Sequence, residues 1–576
     1  MAVEVEAAVL LEVQQQLEEA AAAMDGTLRQ AASSPAIGRH EGTAAGFYAA
    51  TGTLLVGGRE SHPLLLEVAA EALALLIRQQ TAAGRAIAAG DLFWTNDPRC
   101  GGAGLEDLIL ASPVVRDGQL LSFVMLAASH TALGRASLAP AESLRREGLA
   151  LPWTCVGHAG VVSAEILDLL AANAEEPAAF LEDLRAQIHS IRLGQAVMEE
   201  LVDRLGCEAL DSVWQAMAAN GRRAIQKILG RLETGFTEGR VLPFAVRVQP
   251  EGDGVLVAVD VGDRGEPPSL SAALATAAVR AALREVLTAE APAVGVLGGW
   301  ADAVRLEAPW AVSVANLPVG AARFAVAQVL ADAVLAAFAE TLPHFAHAPD
   351  GGSLLLDVRG ERGDGSRYRL RLELGAGLGA SVFGDGMTHG TPPFHPQHLR
   401  PVEEIERAVP WRVLRYALRP DSAGPGQYRG GLGALVEFLL LEGRAEVDVL
   451  LPGRAMGLRG GLRGGGARLV LSTPEDGVRE QEGPGRFALN LRTGHRLLLE
   501  SPGGGGWGIA YQRSIMRLEE DLGRGLISPH QSKNRYGVVL KPGTLEKDDH
   551  LTYRIRHYLL STLTVDDIIA GEELLD

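Results

Sequence analysis

Apolar residues recur at helical spacing through residues 1–32, where Val9, Leu10, Val13 and Leu17 lead into an alanine-rich run ending near Leu28. Ser33-Ser34-Pro35 stops that pattern. Gly46-Phe47-Tyr48 and Thr53-Leu54-Leu55-Val56 then predict a hairpin turning at Ala50-Thr51-Gly52. Residues 64–82 carry Leu64, Leu65, Val68, Leu73, Leu75 and Leu76, dense enough for a buried helix. Asp91-Leu92-Phe93-Trp94 reads as a strand and Leu108-Ile109-Leu110 as the next, with a polar, glycine-rich turn between them. Val114 to Leu120 predicts a second hairpin, turning at Asp117-Gly118. Leu121 to Ala128 forms another strand-like run, ending at Ser129-His130, and Glu147-Gly148-Leu149 with Pro152 marks a loop.

From about 162 to 236 the period is helical throughout, with apolar residues at Leu184, Ile188, Ile191, Val197 and Leu201 and a second run from Val213 to Leu232. Residues 241–262 alternate as strands do, and 269–289 and 320–342 are alanine-rich helices. After about residue 350 the pattern changes. Leu354–Leu356, Tyr368–Leu374, Leu435–Leu441, Val447–Leu451 and Leu469–Leu471 predict strands, separated by glycine-rich loops at 375–390, 424–433, 457–466 and 503–508. The last seventy residues return to helix: Asp521 to Leu526 ends one, and Thr564-Val565-Asp566-Asp567 caps a final one. The fold class is mixed α and β: an N-terminal α/β region, a helical middle and a β-rich, glycine-looped C-terminal half. Its expected divisions are 1–160 (α/β, with the Asn-Asp-Pro turn), 161–240 (helical), 241–350 (α/β), 351–510 (β-rich) and 511–576 (a helical tail).

Composition narrows the function. At 576 residues the chain exceeds one core, and 47% hydrophobic with 22% charged is a globular balance. A net charge of −18 argues against nucleic acid or an anionic membrane as partner. Three distant cysteines, Cys100, Cys155 and Cys207, without a Cys-x-x-Cys, support neither a disulfide framework nor a zinc knuckle. The acidic start and the lack of a long apolar run predict a cytoplasmic protein.

Candidate chemistry gathers at Asn96-Asp97-Pro98-Arg99-Cys100-Gly101-Gly102, with Asp107 behind it and His130 at the end of the strand-like run after it. Two carboxylates and an imidazole at strand edges form a site, or else an ordinary tight turn beside a hydrogen-bonded, semi-buried histidine. The glycine-rich loops offer backbone amides to an anion, or serve tight turns and close strand approach. Asp385, Asp421 and Arg429 are the polar residues within them to inspect, as loop-bracing ion pairs or as catalysts.

Several stretches together resemble the hydantoinase B/oxoprolinase family, which includes the large subunits of acetone and acetophenone carboxylases. Asn96 to Asp107 is similar to the family's Asn-Asp-Pro-Tyr-x-Gly-Gly-Thr-His-Leu-x-Asp. Glu147-Gly148-Leu149 matches its Glu-Gly-Leu loop, and Asn173, Pro177 and Asp183-Leu184-Arg185-Ala186-Gln187 follow in order. Pro401–Glu406, Asp421–Gly433, Ser501–Gly508, Gly525–Ser528 and Tyr536–Leu540 complete a resemblance spanning about residues 5–540.

The resemblance implies a subunit of a multisubunit ATP-dependent hydrolase or carboxylase, acting on a cyclic amide or a ketone beside a hydantoinase A-like ATPase. ATP and magnesium are implied on that partner; this sequence has no Gly-x-x-x-x-Gly-Lys-Ser/Thr to cradle phosphates. The family's metal motif, near His-His-x-Asp-x-Gly-Gly, reads here Ser129-His130-Thr131-Ala132-Leu133-Gly134-Arg135, and its Thr-His reads Ala103-Gly104. A divalent ion (Mn, Fe or Zn) needs about three protein ligands, which His130 alone does not supply. No metal ligand is therefore assigned, although His158, further on, is where another would be sought. The candidate catalytic residues are His130, Asp107 and Asp97: the first two orient or deprotonate substrate, and Asp97 with Asn96 braces the turn. The alternative is a catalytically degenerate assembly subunit, working beside an intact hydantoinase B-like paralogue.

Overall fold

The computed structural model describes residues 6–38, 42–130, 148–174, 176–261, 270–292, 298–309, 322–394, 400–475 and 477–562. Glu147, the 131–135 part of the metal motif and the Thr564–Asp567 cap lie outside them. The chain divides into two compact units, Met1–Glu238 with Leu242–Val334, and Gly239–Val241 with Leu335–Asp576.

The first unit is built on β1 (Thr43–Ala49), β2 (Leu54–Gly57), β3 (Leu92–Thr95), β4 (Asp107–Arg116), β5 (Gln119–Ser129), β6 (Thr154–His158) and β7 (Val161–Val162). They form one sheet in the order β2–β1–β5–β4–β3–β6–β7, antiparallel at every joint. The predicted Asp-Gly turn joins β4 to β5, with Asp117 at φ 50° and Gly118 at φ 77°. Such a turn matches the twist of the strands it connects.

The longer helices of this unit are α1 (Ala7–Ala31), α2 (Pro63–Ala82), α3 (Ala164–Asn173), α4 (Pro177–Leu205), α5 (Cys207–Leu229), α6 (Ala272–Glu290) and, as far as Val334, α7 (Ala322–Ala337). Residues 107–114 of β4 are buried without alternation, because helices cover both faces of the sheet. Leu108 and Leu110, with Val124 and Leu126 of β5, share a core with Val13, Leu17 and Met24 of α1 and with Leu184, Ile191 and Met198 of α4. Strand geometry turns Ile109 and Ala111 to the opposite face. There α2 packs on β1, β2 and β5, with α6 against it. After β8 (Thr237–Val241), β9 (Phe244–Glu251) pairs antiparallel with β10 (Gly254–Val261), which runs parallel to β11 (Val304–Glu307).

In the second unit the strands are β12 (Leu354–Glu361), β13 (Arg367–Leu374), β14 (Trp411–Leu418), β15 (Ala434–Leu440), β16 (Arg444–Leu451), β17 (Arg468–Thr473), β18 (Gly477–Glu482), β19 (Gly485–Arg492) and β20 (Arg496–Glu500). They form two sheets, β13–β12–β16–β19 and β14–β15–β20–β17–β18. Alternating residues of both, among them Leu356, Leu372, Val447, Trp411, Phe438 and Leu497, fill one shared core. Helices at Ile515–Gly523, Pro529–Tyr536 and Asp549–Thr562 follow, as the tail's pattern predicts. Among the described residues no helix is long and apolar enough to cross a membrane.

Candidate functional site

The chain leaves β3 at Asn96-Asp97 and makes one 3-10 turn, Pro98–Cys100, where the sequence pattern predicts only a turn. Asp97 caps it. Its Oδ1 accepts from the Arg99 backbone N–H at 2.8 Å, and the Arg99 guanidinium closes on both carboxylate oxygens at 2.6–3.0 Å. Asn96 is fully buried; Nδ2 donates to the carbonyls of Leu105 (2.7 Å) and Leu149 (2.9 Å), and Oδ1 accepts from the Leu151 N–H at 2.7 Å. These bonds engage the polar atoms of both side chains within the turn.

Asp107 opens β4 directly opposite Ser129 of β5. Ser129 Oγ donates to its Oδ1 at 2.7 Å, and Arg323 Nη2 donates to its Oδ2 at 2.6 Å. The arginine comes from the first turn of α7, and the pair is almost sealed: the side chains are 8% and 1% exposed. The guanidinium lies over the Phe324 ring, 4.5 Å from its centroid. Gly104 makes the space, since a Cβ there would stand 2.6 Å from Arg323 Nε.

His130 is buried against Phe180, edge to face at 5.3 Å. Gln187, on α4, donates through Nε2 to the carbonyls of Leu108 (3.0 Å) and Leu126 (2.8 Å). Its Oε1 therefore faces His130 Nε2 as an acceptor at 2.9 Å, which assigns the imidazole proton to Nε2. Nδ1 is buried with no hydrogen-bond partner among the described residues. Burial pushes this imidazole below its usual pKa, against the Gln187 hydrogen bond and the charges of Asp183 and Asp107. His130 is thus a neutral acceptor in a dry setting.

His158 lies elsewhere, on β6, bonded through Nδ1 to Asp91 at 2.9 Å. Asp97, Asp107 and His130 all belong to one end of the β3–β4–β5 group, as the sequence anticipates. Arg323 and Gln187 join them without being marked as site residues by the sequence pattern. Gln187 stands four residues after Asp183, on the same face of α4 and inside one of the family-like stretches. Arg323 is 216 residues from Asp107 and carries no local signal.

The glycine-loop candidates of the second unit resolve into braces. The Arg429 side chain meets Asp521 at 3.2 Å and its backbone N–H donates to Asp385 at 2.9 Å. Arg513 bridges Asp385 (2.6 Å) and Asp521 (2.7 Å). Burial raises the Asp385 pKa, but Arg513 outweighs it and holds the carboxyl below the usual range. Asp421 accepts from the Ser528 N–H at 2.7 Å, at the start of a helix. The amides of Gly503, Gly504, Gly505 and Gly506 all donate to chain carbonyls, those of Gly465, Gly431, Pro349 and Leu462. Their N–H groups knit loops together and leave none of the four to cradle an anion.

This architecture and the Asn96–Asp107 turn define a B-type subunit fold of the hydantoinase kind. The Hydantoinase B/oxoprolinase family model matches residues 7–510, and the chain belongs to that family. The beta subunit of the Pseudomonas jessenii caprolactamase is 25% identical, over 82% of this chain and 86% of its own. The B component of a putative D-/L-hydantoinase from Pseudomonas sp. strain NS671 is 24% identical, over 78% and 81%. The crystal structure of the ATP-dependent caprolactamase from Pseudomonas jessenii superposes with a TM-score of 0.78 at 22% identity, covering 96% of this chain and 100% of that one. Nucleotide-free acetone carboxylase superposes at 0.79 with 16% identity, covering 98% and 85%. Both share the mixed α and β fold.

A family-type divalent ion fails a test on the donors present. Gly104 and Ser129 stand where the motif has histidine, and neither brings an imidazole. Both oxygens of Asp107 are already engaged, one by a hydroxyl and one by a buried guanidinium. The positive charge beside Asp107 belongs to the chain itself. Among the described residues, the set around Asp107 does not fit the metal.

Proposed function

We propose that this chain is the B-type subunit of a multisubunit ATP-dependent enzyme that opens a cyclic amide or carboxylates a ketone. An A-type subunit would bind ATP and magnesium, and the cytoplasm would be the compartment. Family membership over 7–510 supports this, as do the caprolactamase and hydantoinase subunits it resembles. The observation that shapes the reading is the Asp107–Arg323 pair. In this chain the fixed guanidinium does the charge-balancing work beside Asp107, and His130 would act as a neutral acceptor through Nδ1.

The same pair also favours a second reading. A carboxylate engaged on both oxygens and an imidazole 2% exposed suit an assembly subunit working beside an intact paralogue. One experiment separates the two. The chain is co-purified with its A-type partner and any intact B-type paralogue, and ATP-dependent turnover is measured on a panel of lactams and hydantoins and, with bicarbonate, on ketones. The catalytic reading expects His130→Gln to abolish turnover while the complex still assembles; unchanged turnover establishes the assembly role. Turnover of a cyclic amide by this chain alone, with neither partner nor ATP, would sink both.

A further inference from the structure

We propose that Asp91, Cys155 and His158 form a zinc site, separate from the Asp107 centre and at the other end of the same strands. Among the described residues this is the only group in which three carboxylate, thiol and imidazole donors converge, all within 4.8 Å of one another. Asp91 Oδ1 lies 2.9 Å from His158 Nδ1, and Cys155 Sγ lies 3.6 Å from the same nitrogen. Tetrahedral zinc with bonds of about 2.0–2.3 Å holds its donors roughly 3.3–3.8 Å apart. Small side-chain shifts therefore admit the ion.

The backbone has assembled the trio. Cys155 and His158 are three residues apart, a spacing that puts side chains on opposite faces of a regular strand. Here Leu92 pairs with Gly157 and Phe93 with Cys155, so Val156 is one residue extra on β6. Such a bulge re-aims side chains, and this one brings thiol and imidazole to a common edge. Asp91 is fixed from behind: Oδ2 accepts from the Ala88 N–H at 2.8 Å. The Gly160 N–H donates to the Gly90 carbonyl at 2.8 Å, tying together the turns that carry His158 and Asp91. Gly90 has φ 78°, and a Cβ there would come within 2.7 Å of Gly160 N.

Donor chemistry selects the ion. A thiolate with an imidazole suits zinc, whereas magnesium and calcium ask for oxygen throughout. Three protein ligands leave a fourth position for water, and His158, 76% exposed, leaves an entry path. On loading, the Cys155 thiol proton, now shared with the Gly157 carbonyl at 3.2 Å, leaves to water. The imidazole proton moves from Nδ1 to Nε2, and the nitrogen lone pair and the sulfur turn to the metal.

The test is a cobalt titration of the tag-free, chelator-treated full chain, followed by displacement with zinc. We expect one equivalent of cobalt to give a thiolate-to-metal charge-transfer band that zinc removes. Cys155→Ser should abolish the band. His158→Ala, at an exposed position that leaves folding intact, should weaken zinc by more than the roughly 10- to 100-fold that loss of an outer-sphere partner costs. Cys207→Ser, at a half-buried thiol outside the trio, should change neither. Absence of the band, its survival in Cys155→Ser, unaltered zinc affinity in His158→Ala, or loss of binding in Cys207→Ser would each overturn the assignment.

Discussion

Asp91 and Asp107 flank opposite ends of one strand pair. The register that sets Phe93 against Ala111 and Thr95 against Ile109 separates them by about 20 Å at ~3.3 Å per residue. What each carboxylate meets is different in kind. Asp107 is neutralised by a guanidinium that never gives up its proton, deep inside the unit. Asp91 meets a solvent-facing imidazole and a thiol, both of them side-chain types that ligate metals. A permanent internal cation closes a site to metal, and ligand side chains at an accessible rim keep one open. Position on the sheet, more than residue type, decides which of the two an aspartate becomes.

Removing the permanent cation breaks the comparison most severely. Arg323→Met strands the Asp107 carboxylate in a dry setting, an expected loss of about 3–5 kcal/mol in the urea unfolding of the first unit. Adding Asp107→Leu should recover most of that loss, because the pair as a whole contributes far less than one abandoned charge costs. A single variant within the error of the wild type would mean that Asp107 is not sealed.

Gln187 comes next. It serves two strand carbonyls and fixes the His130 tautomer, so Gln187→Leu should cost about 1–3 kcal/mol in the same measurement. An effect below the measurement error would show that water replaces the amide, and that the His130 setting is not dry.

Much of this was legible in the chain, for physical reasons. The helices of 1–32 and 64–82, the Asp117-Gly118 hairpin and the alternation beyond residue 350 follow from short-range periodicity and turn chemistry, and each appears in the structure. The conversion of the metal motif was visible at Gly104 and Ser129, but what replaced it was not. Arg323 reaches Asp107 only through tertiary packing, across 216 residues. The bulge at Val156 was hidden too: a spacing of three between Cys155 and His158 predicts divergence until one residue is left unpaired. Whether the glycine loops bind anions was open from sequence alone, because composition does not say which carbonyls take the amides.

His130 sharpens the contrast through pH. Burial holds its folded pKa below the usual histidine value. Below about pH 6.5, then, the unfolded chain takes up a proton that the folded one refuses. Stability should fall on acidification from there towards the folded pKa, by up to ~1.4 kcal/mol per pH unit, and be unaffected by this group above pH 7. The slope should be shallower by that amount in His130→Gln. Equal slopes in the two proteins would mean that the folded imidazole protonates as readily as the unfolded one.

The smallest expected effect is at His158, and it separates the two ends of the sheet most cleanly. Being exposed, it should cost within about 0.5 kcal/mol as His158→Ala in metal-free buffer. Adding zinc should then stabilise the wild type by an amount that grows with concentration, about 2.7 kcal/mol at a hundred times its dissociation constant. His158→Ala should gain little at the same zinc concentration, while a destabilised Arg323→Met should gain as much as the wild type. Thermal unfolding of the three proteins with and without zinc reads all of this at once. If Arg323→Met lost the zinc response and His158→Ala kept it, the metal site would be at the Asp107 end, and the two carboxylates would have to trade descriptions.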